Sequence, residues 1–132
     1  MSFVDDIYTL MTADTSLNGQ VNGGIHYENL IDNWLADTDD TEWIVYEQRK
    51  SAQENCINSK NIYMTYRLTA VIIQRNTNTN VDTITNRLIT YLNNYESGNI
   101  MDIAFISDQG GFNQQQNIYT NTLEFDCVYL ET

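Results

Sequence analysis

From Asn61 to Gln74 the chain alternates without a break: Ile62, Met64, Tyr66, Leu68, Ala70 and Ile72 on one side, Tyr63, Thr65, Arg67, Thr69, Val71 and Ile73 on the other. Successive side chains of a strand point to opposite faces, so this period of two predicts a long strand with one face buried. A buried sheet face requires a second layer, and the rest of the chain supplies it. Val81, Ile84, Leu88, Tyr91, Leu92 and Tyr95 recur at helical spacing. Asn80 stands at the N-cap position and Gly98 is expected to close the element.

Ser2 caps a second, N-terminal helix, with Asp5 and Asp6 in its first turn and Phe3, Val4, Ile7, Tyr8, Leu10 and Met11 forming an apolar stripe. Asn18-Gly19 and Asn22-Gly23-Gly24 read as turns that bracket a short loop or edge strand before Ile25-His26-Tyr27, a region expected to be irregular. Trp43 to Gln48 reads as a strand and Arg49 to Ser59 as a long polar loop or β-excursion. Ile100 to Ser107 and Asn117 to Leu130 are expected to pair as a hairpin around the polar loop 108–116. The expectation is an α+β fold: about four antiparallel strands, with the N-terminal helix and the second helix packed on one face. A length of 132 residues without a linker makes 1–132 a single domain.

Charge narrows the function classes. Eighteen acids against six bases give a net charge of −12, and all six bases lie between Arg49 and Arg87. Affinity for nucleic acid comes largely from Lys and Arg displacing counterions, so specific DNA or RNA binding is not expected. An acidic wall past which a polyanion slides without sticking fits the same charge. The longest apolar runs, such as Ala70–Ile73, fall far below the roughly 20 residues of a bilayer span, so no membrane association is expected. The start, Met1 to Asp6, lacks the basic and apolar pattern of a secretory signal, which points to a cytoplasm.

Residues that carry chemistry are scarce. His26 is the only histidine, which removes most hydrolytic triads and multi-histidine metal sites. Cys56 and Cys127 form no C-x-x-C pair; Cys56 reads as a loop thiol, and Cys127, between Phe125 and Tyr129, as a small core residue. Gly23-Gly24 and Gly110-Gly111 open no helix with a basic or hydroxyl residue and read as turns, not phosphate loops. The run Asp37-Thr38-Asp39-Asp40-Thr41-Glu42 offers carboxylates to Ca²⁺ or Mg²⁺. It lacks the EF-hand frame, with no glycine at the sixth position and Lys50 or a neighbour where the twelfth-position glutamate belongs. A solvated acidic loop is the simpler reading. No catalytic, cofactor-binding or metal-binding residues are assigned, and no cofactor.

The order of elements (capped helix, irregular Gly-rich segment, the strand Trp43 to Gln48, the strand Asn61 to Gln74, the helix Val81 to Tyr95 and a closing hairpin) resembles the small tail-terminator and head-to-tail joining, or neck, proteins of tailed bacteriophages. The resemblance covers nearly the whole chain and rests on layout, size and acidity. It implies a virion structural protein without enzymatic activity, made in the cytoplasm of a host bacterium. It also implies a homo-oligomeric ring, usually of six subunits, docked to an adjacent tail-tube or neck ring. DNA would pass through the lumen without specific binding, which the acidity suits. Ring closure gives exposed strand edges a use, because heterologous contacts can pair edges between neighbours. On that reading Asp37, Asp39, Asp40 and Glu42 form the DNA-facing acidic loop, Trp34, Trp43 and Phe112 are subunit-interface residues, and loops 49–60 and 107–117 meet adjacent rings. The rival reading is a small acidic module that captures or inhibits a basic partner protein.

Overall fold

A computed structural model describes residues 2–27, 41–55, 62–115 and 117–131. Helix α1 (Phe3–Ala13) begins at Ser2, whose Oγ accepts from the Asp5 N–H at 3.2 Å. A second helix, α2 (Thr15–Gln20), follows where Asn18-Gly19 had suggested a turn. Asn18 Nδ2 donates to the carbonyls of Thr12 and Asp14 at 2.6 and 2.9 Å, so the side chain stitches the two helices. Strand β1 (Ile25–Tyr27) leads toward β2 (Glu42–Asn55) and β3 (Ile62–Arg75); α3 (Val81–Leu92) then crosses to β4 (Ile100–Asn113) and β5 (Ile118–Glu131).

The sheet has five strands in the order β1-β2-β3-β5-β4. β1 pairs with β2 in parallel, and every other pair is antiparallel. The α+β expectation therefore holds, with one short parallel strand added at an edge. β2, β3, β4 and β5 each run 14 residues; β3 and β5 have the expected length, shifted by one residue, while β2 and β4 run on past the expected ends at Gln48 and Ser107. The proposed loop 49–60 is strand through Asn55, and the proposed loop 107–117 is strand through Asn113 and again from Ile118.

The three described helices lie over one face. Phe3, Ile7, Leu10 and Met11 of α1, Leu17 of α2 and Ile84, Leu88 and Leu92 of α3 pack onto inward residues of the sheet, among them Ile44, Leu68, Ile72, Phe125 and Tyr129. Phe3 stacks on Tyr66 at 4.2 Å between ring centroids and meets Tyr129 edge-on at 5.3 Å. The opposite face has its own small buried cluster of Trp43, Val45, Ile73 and Ile118.

Asparagine, seventeen residues of the chain, has a structural use here. Asn76, Asn94 and Asn117 adopt positive φ at the ends of β3 and α3 and at the β4–β5 turn, a conformation this side chain tolerates better than most. Asn94, two residues past α3, ends that helix earlier than the Tyr95–Gly98 stop expected.

Candidate functional site

The acidic run enters the sheet at Thr41 and Glu42, and the geometry there is unlike that of a free loop. Glu42 is the first residue of β2 and only 9% exposed. Its Oε1 accepts from Gln74 Nε2 at 3.3 Å and from Asn80 Nδ2 at 3.2 Å, and its Oε2 from the Thr41 hydroxyl. Gln74 Oε1 accepts in turn from the Asn80 N–H, and Asn22 Oδ1 from the N–H groups of Thr41 and Glu42. Asn80 does occupy the N-cap position of α3, but its side chain is committed to Glu42 and not to the helix. These bonds clasp the start of β2, the end of β3, the start of α3 and the turn after α2. Glu42 is thus a structural carboxylate; Asp37, Asp39, Asp40 and Trp34 lie outside the described residues.

Trp43 sits inside the subunit at 1% exposure. The Arg75 guanidinium lies 5.2 Å from its ring centroid, and Gly23 packs so closely that a Cβ there would be 2.0 Å from the indole nitrogen. Phe112 is 52% exposed on β4 and tilts against Tyr119 at 4.5 Å. Trp43, buried, and Phe112, exposed, do not share one surface patch.

His26 belongs to β1 and not to a loop; its Nε2 is 2.7 Å from the Gly23 carbonyl oxygen. Cys127 is fully buried on β5 as expected, and desolvation, with Asp126 and Asp102 nearby, pushes its thiol up to about 12. Cys56 lies outside the described residues. Among the described residues no three His, Cys, Asp or Glu side chains converge as a metal site would require, and no helix is long and apolar enough to cross a membrane.

Among the described residues, two surface hollows with polar linings stand out. One, of about 350 Å³, opens between α1 and the end of α3, lined by Asp6, Thr9, Tyr91 and Tyr95. Two of its polar groups are engaged within the chain: Tyr91 donates to the Leu10 carbonyl at 2.9 Å, and Tyr129 donates to the Asp6 carboxylate. The other, of about 330 Å³, lies on the sheet's outer face around Arg67. There Arg67 is shared by Glu124 and Asp126, each at 2.6 Å, with Arg49 on the rim. Neither hollow pairs a nucleophile with a base.

What remains conspicuous is the far half of β4. Ser107 to Asn113 are all exposed, and Ile106 is 48% exposed beside them. Sequence reasoning missed this strand because Asp108-Gln109-Gly110-Gly111 carries no alternation.

The class defined by these features is a two-layer α+β fold, with the described helices on one face of a mixed sheet. Among solved structures, a chain from "Virion of native gene transfer agent (GTA) particle" is similar to it in fold. The TM-score is 0.66 at 11% identity, over 95% of this chain and 92% of that one. No protein-family model and no curated protein sequence matches the chain.

Proposed function

We propose that the chain is a virion structural protein of a tailed-phage-like particle: a tail-terminator or neck subunit that forms a homo-oligomeric ring, six-membered on the family pattern, at the head–tail junction or tail end. The observation that carries this reading is the likeness in fold to a chain of a gene transfer agent virion, which extends over nearly the whole of both chains. A net charge of −12 supports it, since a lumen lined by acids repels DNA and lets it pass. In this reading Asp37, Asp39 and Asp40 face the lumen, while Glu42 anchors their segment to the sheet.

Native mass spectrometry and negative-stain microscopy of the purified chain, alone and with the tail-tube protein of the same particle, test the ring. Closed annuli of fixed copy number are expected, and a monomer under both conditions overturns the proposal. Replacing Asp37, Asp39 and Asp40 together by lysine tests the lumen: rings should still form but retain double-stranded DNA at low salt and slow genome ejection. Unchanged DNA retention and ejection would remove the lumen role.

A further inference from the structure

Among the described residues two stretches of sheet edge have no neighbouring strand, and they lie on opposite sides of the sheet. The near half of β4 is guarded: the Asn94 N–H donates to the Ile103 carbonyl at 2.7 Å, and Asn93 Oδ1 accepts from the Phe105 N–H at 3.0 Å. From Ile106 to Phe112 no comparable guard occurs among the described residues, and every side chain is exposed. On β2 the guard sits at the other end. β1 covers Ile44 to Tyr46, whereas from Glu47 to Asn55 the ladder has a described partner only in β3. A long unpaired edge is a template for another strand unless something covers it.

We propose that the open half of β4 in one copy of this chain pairs, antiparallel, with the open half of β2 in the next copy, so that the sheet runs continuously between subunits.

Three observations select a second copy as the occupant. Polarity comes first: β2 and β5 run one way and β3 and β4 the other, so a neighbour's β2 placed beside β4 continues the antiparallel order. The open stretches match in length, seven residues on β4 against nine on β2. Charge bears on the contact at one position: the open half of β4 carries Asp108 and no base, while the open half of β2 carries Arg49 and Lys50 between Glu47 and Glu54. Asp108 and Lys50 also share the inner face, through their partners Leu123 and Tyr66.

The geometry makes the contact heterologous, β4 to β2 and never edge to like edge, which is the arrangement that closes rings. The open half of β4 lies level with the guarded part of β2, since Gly110 is linked through Asn121 and Ile72 to Ile44. Pairing therefore shifts neighbours along the strand direction by roughly 20 Å, about half a strand at ~3.3 Å per residue. A sheet closing with such a stagger has strands tilted to the ring axis, as barrel strands are. The pairing deepens the ring reading above and rests on it for closure.

The test uses full-length protein with Cys56→Ser. Glu47→Cys and Gln109→Cys, both on the outer face beside Thr69 and Thr122, are made in separate chains and treated with a short bis-maleimide after mixing. A cross-linked heterodimer is expected only in the mixture. It should be lost with Asp108→Lys and return when Lys50→Asp is placed in the partner chain; circular dichroism of each variant checks that it is folded. A ring by native mass spectrometry without the 47–109 adduct overturns the edge pairing and leaves the ring reading standing. The 47–109 adduct together with open oligomers of variable copy number by native mass spectrometry supports the pairing and overturns the ring. A monomer that forms neither overturns both.

Discussion

Arg87 grips Asp14 with two parallel hydrogen bonds, Nε to Oδ2 at 2.7 Å and Nη2 to Oδ1 at 2.8 Å, and so ties the corner between α1 and α2 to the middle of α3. Asp14 is buried while Arg87 keeps partial contact with solvent. The hydrogen bond from Arg87 is the main cause holding the Asp14 carboxyl below its ordinary value of 3.8, against the opposing effect of burial. A carboxylate with a depressed folded pKa stabilises the fold above its unfolded value, and the benefit is lost as pH falls through the folded one. Arg87→Met should therefore lower the denaturation midpoint at neutral pH, with the gap from the parent narrowing below pH 3.8. Urea titrations across the acid range read this directly; a gap of equal size at neutral and strongly acid pH would deny the pair its role.

Gly23 and Gly19 make a matched pair for a second prediction. A Cβ at Gly23 would collide with the Trp43 ring, whereas one at Gly19 meets nothing within 4 Å and lies inside α2. Gly23→Ala should cost about 1–3 kcal/mol, the usual penalty of overpacking. Gly19→Ala should stabilise by roughly 0.5–1 kcal/mol through lost freedom of the unfolded chain. Chemical denaturation of the two variants gives opposite shifts, and shifts of the same sign would contradict the placement of Gly23 against the indole.

The clasp at Glu42 allows a third. Glu42→Ala leaves the Gln74 and Asn80 amide donors without their carboxylate, and a stranded buried polar group costs about 1–3 kcal/mol. Asp37→Ala serves as the comparison. If Glu42→Ala melts with the parent protein, Glu42 is not the anchor described.

Cys127 should be chemically silent in the folded state. With its thiol pushed up to about 12 by burial, almost none is thiolate at pH 8, and no reagent reaches it. In a Cys56→Ser variant, a colorimetric thiol assay should report no reaction until denaturant is added; prompt labelling of the native protein would show that β5 opens readily.

The elements legible from sequence are those whose faces differ. β3 alternates because its inner face meets the helices, and α3 shows its stripe because one side lies on β3 and β5. The second halves of β2 and β4 were illegible for the converse reason. Arg49 to Asn55 offers no apolar residue but Ala52, and Ser107 to Asn113 is solvated on both faces, so the backbone ladder to the neighbouring strand, which leaves no mark in the apolar pattern, places both segments. α2 was hidden by Asn18-Gly19, which usually signals a turn. At the site, Glu42 looked like its acidic neighbours, although its spacing from Ile44 and Tyr46 placed it on the inward face. Trp43 gave no sign of the glycine that seats it, because Gly23 lies twenty residues earlier.

Ionic strength will act unevenly on this molecule. The clasp around Glu42 is built from neutral amide and hydroxyl donors, so dissolved ions have no opposing charge there to mask. Arg67 with Glu124 and Asp126 sits half in solvent, where a Debye length near 10 Å at ~0.1 M salt weakens such attractions. The end of the sheet that carries the acidic run therefore keeps its shape as salt rises, while the exposed outer face loosens its grip.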